Sequence, residues 1–260
     1  MRTWLRAVLV AGAAAAWGEA RAEVAVDLEL VLAVDVSGSM DPEEHEIQRS
    51  GYVAALTHPD VVGAIRSGSY GRVAIAYVEW AGPFSQALTV PWRMVEDQAS
   101  AEALAAELAG APYARIRGTS ISGGLMFAAG LFDGNGYEGF RRVIDVSGDG
   151  PNNMGAPVVP SRDAVVERGI VINGLPILVR PSGGFGTIPE LDIYYEDCVI
   201  GGPGAFVLPV RNLADITESI RRKLVLEIAG PEPTVTLAAT RAPRIDCMIG
   251  EQQRRTWMDR

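Results

Sequence analysis

The stretch Leu28-Glu-Leu-Val-Leu-Ala-Val-Asp-Val-Ser-Gly-Ser-Met40 decides the fold. Asp27–Val34 is a nearly continuous apolar run, as expected of a strand covered on both faces. The run ends abruptly in Asp35, Ser37 and Ser39, with Gly38 between the two serines. Alone, such a bend reads equally well as a capped strand-to-helix turn, because Asp and Ser are favoured there for backbone hydrogen bonds. What the other strands deliver to the same edge has to decide.

Outward from this stretch, strands and helices alternate. Residues 41–56 read as a helix, with Asp41 as cap, Pro42 at the first helical position and Glu44 completing a capping box. Glu43, Glu44 and Glu46 read as its solvated first turns, and residues 61–65 as a short continuation. Arg72–Trp80 is the next strand, and residues 85–95 pair beside it, limited by Pro91. Two helices follow, one over 97–111 and one over 120–132, the second carrying Ile121, Leu125, Ala128 and Phe132 on one stripe. Then come a strand at Arg142–Ser147, a short helix at 161–169, a strand at 170–179, a last strand at 205–210 and a helix over 212–230. Asp145, inside its strand, reads as a satisfied core or edge residue. This alternation predicts a three-layer α/β domain, a mostly parallel central sheet flanked by helices.

The ends and one insertion stand apart. Residues 1–22 read as a signal peptide: two early Arg, an apolar run of the length of a secretory core, and Ala20-Arg21-Ala22 as a cleavage site. The run is shorter than the roughly 20 residues of a membrane span, and no later segment is long and apolar enough to be one. The expected destination is therefore the periplasm or the exterior. Residues 23–230 form the domain, 180–204 a Gly/Pro-rich, acidic insertion in it, and 231–260 a C-terminal extension with an edge strand at 234–239. Cys198 and Cys247 are the two cysteines of the chain. In an oxidising destination they read as a disulfide joining the extension to the insertion, with two buried thiols as the alternative. The net charge of −9 argues against nucleic acid as a partner.

In an open parallel sheet, ligands bind beyond the carboxyl ends of the strands. Three loops gather there: the first carries Asp35, Ser37 and Ser39, the second Thr119, the third Asp149. Two carboxylates and three hydroxyls suit a hard divalent cation, above all Mg²⁺, which takes oxygen ligands and keeps several waters. Hydroxyl ligands donate little charge, so such an ion would welcome a carboxylate from outside. Asn152 and Asn153 read as turn residues beside this set. His45 and His58 have no partner at metal-binding spacing, so zinc held by histidines is not expected.

Asp-x-Ser-x-Ser after a first buried strand, a Thr about eighty residues on and Asp-Gly after a later strand together resemble the metal-ion-dependent adhesion site of von Willebrand factor type A domains, which include the inserted domains of integrins. The resemblance spans about Asp27–Gly230, and its layout is similar to an uncharacterised exported bacterial subgroup of that family. It implies that Ser37, Ser39 and Thr119 ligate the metal, that Asp35 and Asp149 support it partly through water, and that an acidic residue of a protein partner fills an open position. Mn²⁺ and Ca²⁺ are the alternatives to Mg²⁺. The family often has a hydrophobic residue and Thr before the second Asp. Here Ser147-Gly148 stands there, and Gly148 is expected to loosen the third loop.

Enzymatic readings fit less well. Gly118–Ser122 nearly spells a nucleophile elbow, but Ser122 occupies the place of the second Gly. No phosphate-binding or dinucleotide fingerprint is present in the sequence. The expectation is a non-enzymatic, metal-dependent protein-binding module. The alternatives are an accessory subunit of a metal-dependent enzyme complex and a domain whose metal is purely structural.

Overall fold

The structure, a computed structural model, describes residues 22–38, 42–112, 117–179, 186–230 and 242–259. The signal-peptide reading, the Asp41 cap and the edge strand expected at 234–239 lie outside these residues, apart from Ala22. Five strands make one sheet: β1 (Val24–Asp35), β2 (Val73–Trp80), β3 (Gln86–Val95), β4 (Tyr137–Gly148) and β5 (Ile170–Pro176). Their order is β3-β2-β1-β4-β5. β1 runs parallel to β2 and β4, β4 runs parallel to β5, and β3 closes one edge antiparallel.

β1 shows why two helical layers are needed. Successive side chains of a strand point to opposite faces. Leu28, Leu30, Leu32 and Val34 enter one apolar core, while Val31 and Ala33 enter another. The first core is covered by α1 (Pro42–Leu56), α2 (Pro59–Arg66), α3 (Gln98–Gly110) and α7 (Ile216–Ala229). The second is covered by α4 (Ile121–Gly130), α5 (Val158–Glu167), the short α6 (Leu191–Tyr194) and the π-turn Tyr195–Val199 that continues it. The expected stripe of Ile121, Leu125, Ala128 and Phe132 is buried there. One further helix, α8 (Ile249–Met258), belongs to the C-terminal extension.

Four expectations change. Residues 205–210 form no full strand: Val207 and Val210 make isolated parallel bridges to Gly174 and Ile177. Pro209, between them, has no N–H to continue a ladder. The continuation after α1 is a separate helix, started by Pro59, with the His58 ring accepting from the Asp60 amide at 3.2 Å. β4 begins at Tyr137, five residues before the expected strand. Glu44 is buried rather than solvated. It lies one turn before Gln48, and Gln48 one turn before Tyr52, on a stripe that faces the sheet. That stripe is polar at its sheet-end half: Gln48 Nε2 donates to Ser147 Oγ at 3.2 Å, Tyr52 donates to the same oxygen at 3.3 Å, and Arg49 pairs with Glu79.

Asp145 is a buried core residue, as its place in a strand suggested, and it is held in an ion pair. Lys223 Nζ, fully buried on α7, lies 2.5 Å from both Asp145 Oδ1 and Glu227 Oε1. Asn173 donates to Glu227 at 3.0 Å. Two carboxylates share one ammonium, so one of them is driven to keep a proton. Burial and the Asp145 charge push Glu227 up to about 7, against the pull of Lys223. The folded protein thus holds a proton that the unfolded chain releases above its ordinary value of 4.5. By linkage, this cluster's contribution to stability falls as pH rises from there through about 7. Urea unfolding across this range should show that fall, and Glu227→Gln should flatten it. Lys223→Ala, which leaves the carboxylates without their cation, should cost about 3–5 kcal/mol at pH 7.

Candidate functional site

The site is built where β1, β2 and β4 end. The Val36 amide donates to Trp80 O at 2.9 Å, so the first loop leaves the sheet bound to the end of β2. Asp35 is fully buried. Its Oδ1 accepts the Ser37 amide at 2.7 Å, a bond that folds the loop back over the strand end and buries Ser37. His45 Nε2 lies 3.2 Å from the Ser37 carbonyl oxygen. The second loop is tied to β2 by the Ser120 amide, which donates to Ala81 O at 2.7 Å, and Ser120 caps α4. This brings Thr119 Oγ1 to 3.4 Å from Ser37 Oγ.

The third loop carries Asp149, which is buried, and it is locked to the second. The amides of Asn153 and Met154 donate to Thr119 O at 2.9 and 3.1 Å. The Thr119 amide donates in return to Asn153 Oδ1 at 3.1 Å, and the Ser122 amide donates to Asn152 Oδ1 at 3.1 Å. Of the five residues singled out in the sequence, Asp35, Ser37, Thr119 and Asp149 thus gather at one edge, and Ser39 lies outside the described residues. The two asparagines, expected as plain turn residues, are what align the hydroxyl loop with the carboxylate loop. Side-chain amides that can both donate and accept, directly after Asp-Gly-Pro, were the available sign.

Gly148 does not loosen this loop. It is the last residue of β4 and pairs with Pro176. A Cβ at Gly148 would lie 2.9 Å from the Tyr195 hydroxyl and 3.0 Å from Asp35 Oδ2. The position is open to glycine because a tyrosine and a carboxylate converge on it. Tyr195, from the insertion, has no hydrogen-bond partner for its hydroxyl among the described residues, and neither has Asp35 Oδ2. Burial, then the charge of Asp149, push Asp35 well above the usual carboxylate range. Buried polar atoms normally have partners. Orphan oxygens at the meeting point of two carboxylates and two hydroxyls are what a hard divalent cation, with its waters, would satisfy. Among the described residues, no group of three or more His, Cys, Asp or Glu is placed to hold a metal ion.

Above the hydroxyls lies a cleft of about 440 Å³, bounded by Ser37, Thr119, Asn153, Met154, Arg117 and Arg254. Arg254 comes from α8, which a disulfide holds in place. Cys198 and Cys247 are bonded, with S–S 2.01 Å. Beyond that bond, Asn152 Nδ2 donates to Glu251 Oε1 at 2.7 Å, and Tyr194 donates to Cys247 O at 3.4 Å while accepting the Asn152 amide at 3.2 Å. Gly250 sits so close to the third loop that a Cβ there would meet Asn152 O at 2.1 Å. The extension is therefore packed on the site, a contact that the sequence reading missed; Gly250 and Glu251 carry no local pattern that marks it.

The model of a family described as "Protein of unknown function (DUF1194)" matches residues 25–232. No curated protein matches the chain. Among solved structures, proximal thread matrix protein 1 of the mussel byssus, with zinc occupying its MIDAS motif, aligns with a TM-score of 0.55 and 14% identity over 78% of this chain and 46% of that one. A von Willebrand factor type A protein from Catenulispora acidiphila aligns at 0.55 and 16% over 80% and 44%. The pilus adhesin SpaC from Lactobacillus rhamnosus GG, in its open conformation, aligns at 0.55 and 13% over 80% and 31%. The chain spans less than half the length of these three structures. At such identities the likeness establishes the fold, which is von Willebrand factor A-like.

Replacing both cysteines by serine should lower stability by about 2–4 kcal/mol, the range for removing a cross-link of this kind. In hydrogen exchange, the amides of α8 should lose protection while those of β1 and β4 keep theirs. Equal protection of α8 in both proteins would show that packing alone holds it.

Proposed function

The chain belongs to the DUF1194 family, and from that premise we propose that it is an exported module that binds a protein partner through a divalent cation. The observation that carries this reading is the meeting of Ser37, Thr119, Asp35 and Asp149 beneath an open cleft. Ser37 and Thr119 would hold the ion directly, with Ser39 completing the hydroxyl set. Asp35 and Asp149 would orient its waters and offset its charge. Mg²⁺ fits the all-oxygen set best, with Mn²⁺ and Ca²⁺ as alternatives. The ion would supply an electrophilic position for a carboxylate of the partner.

Three further features support the reading. Phe84 is 98% exposed in the turn between β2 and β3, and that turn abuts the second loop, where Ala81 O takes the Ser120 amide. A bare aromatic beside a polar cleft suits a macromolecular partner. The module is read as one that binds rather than catalyses, with the histidine beside the first loop, His45, placed 3.2 Å from the Ser37 carbonyl oxygen. Export is supported by the disulfide, since such bonds persist in oxidising compartments. No helix among the described residues is long and apolar enough to cross a membrane.

An ion that binds only the folded state stabilises it by about 2.7 kcal/mol at a hundred times its dissociation constant. Urea unfolding in Mg²⁺ against chelator should show a rise of that order in the wild type and none in Thr119→Ala. Affinity capture from an envelope fraction should then retain a protein that chelator releases and that Thr119→Ala does not hold. A stability rise without any such difference in capture would assign the ion a purely structural role.

A further inference from the structure

We propose that the cleft is a subsite for an acidic peptide segment, in which Arg117 and Arg254 bind carboxylates beside the one offered to the ion. The idea rests on the metal-binding reading for its first carboxylate and on separate residues for the others. Both residues border the cleft, together with Ser37 and Thr119. Neither has a carboxylate partner among the described residues, whereas Arg49, Arg93, Arg168, Arg211, Arg221 and Arg244 are each paired with one. Arginine presents a fork of donors that fits a carboxylate with two parallel hydrogen bonds. Two arginines that line one cleft and have no carboxylate partner among the described residues, on a protein with net charge −9, make a local cationic site on an otherwise acidic molecule.

The two arginines come from different parts of the chain. Arg117 precedes Thr119 in the second loop, within the residues matched by the family model. Arg254 lies beyond that match, on α8, and the C-terminal extension carries it to the cleft. The extension is held there by the Cys198–Cys247 bond, by Glu251 on Asn152, and by the close approach of Gly250 to Asn152 O. The same contacts that brace the third loop thus place a cation over the site. A partner with a single carboxylate would satisfy the ion alone. One with two or three acidic residues in an extended segment would engage the arginines as well, since alternate residues of such a segment share a side.

The test uses two labelled peptides as probes, one of alternating Gly and Asp and one of alternating Gly and Asn, titrated by fluorescence anisotropy against the full mature chain. The inference predicts binding of the Asp peptide in Mg²⁺, with little binding of the Asn peptide. Arg117→Gln and Arg254→Gln should each weaken it about tenfold, the loss expected for one charge-assisted contact. Arg255→Gln, an exposed neighbour on α8, controls for net charge and should leave affinity unchanged. Equal affinity in Arg117→Gln, Arg254→Gln and wild type, with binding lost in chelator and in Thr119→Ala, would overturn the subsite and leave the metal reading standing. Weakening by the arginine variants, with no effect of chelator or Thr119→Ala, would support the subsite and remove the metal from it. No binding of the Asp peptide, equal binding of the Asn peptide, or an equal loss in Arg255→Gln would overturn the inference.

Discussion

The Asp35 carboxylate, buried at the end of the central strand, is the constraint on which the site depends. One of its oxygens closes the first loop through the Ser37 amide, and the other lies toward Gly148 and is without a hydrogen-bond partner of normal geometry among the described residues. Without a cation, two buried acids at one strand end are costly, and burial together with Asp149 pushes Asp35 toward its protonated form. A divalent ion held there would reverse that balance. The tension is therefore informative: proteins keep such arrangements where function requires them. The neighbouring elements are fitted to the same point. Gly148 yields space to the carboxylate, and Tyr195 fills the remaining side.

A second buried charge system lies on the other face of the sheet, and the contrast is instructive. Lys223 sits between Asp145 and Glu227 and supplies positive charge to both from within the chain. Asp145 and Asp149 lie on one strand and the loop that follows it. Asp145 is paired with a lysine of α7, whereas Asp149 lies in the loop that is bonded to Thr119. The structural and the candidate functional acids thus differ in their place, strand against loop, and not in their burial, which is nearly complete for both.

Much of the fold was legible in the sequence because its cause is local. The nearly continuous apolar run of β1, the Ala-rich α3 and the Ile121–Phe132 stripe each write their burial into a short window. The residues of the three site loops were legible for the same reason: each follows a strand, and parallel strands deliver their ends to one edge. What could not be read were contacts between distant segments. Glu44 reads as solvated until α1 is laid on the sheet. Residues 205–210 look like a strand until Pro209 is placed against β5. Tyr195 and Arg254 reach the site through an insertion and an extension, and nothing in their own neighbourhoods says so. The disulfide was readable from cysteine count and expected compartment, although its consequence, a helix packed on the third loop, was not.

The central claim is that Asp35, Ser37, Thr119 and Asp149 hold a divalent ion. Manganese is the most direct probe, because free and bound Mn²⁺ differ in their electron paramagnetic resonance signal. Titration of the protein should show a single bound ion that Mg²⁺ displaces, and Thr119→Ala and Asp35→Asn should bind none at the same concentrations while remaining folded. Equal Mn²⁺ binding by the wild type and the folded variants, or no binding by the wild type, would contradict the account.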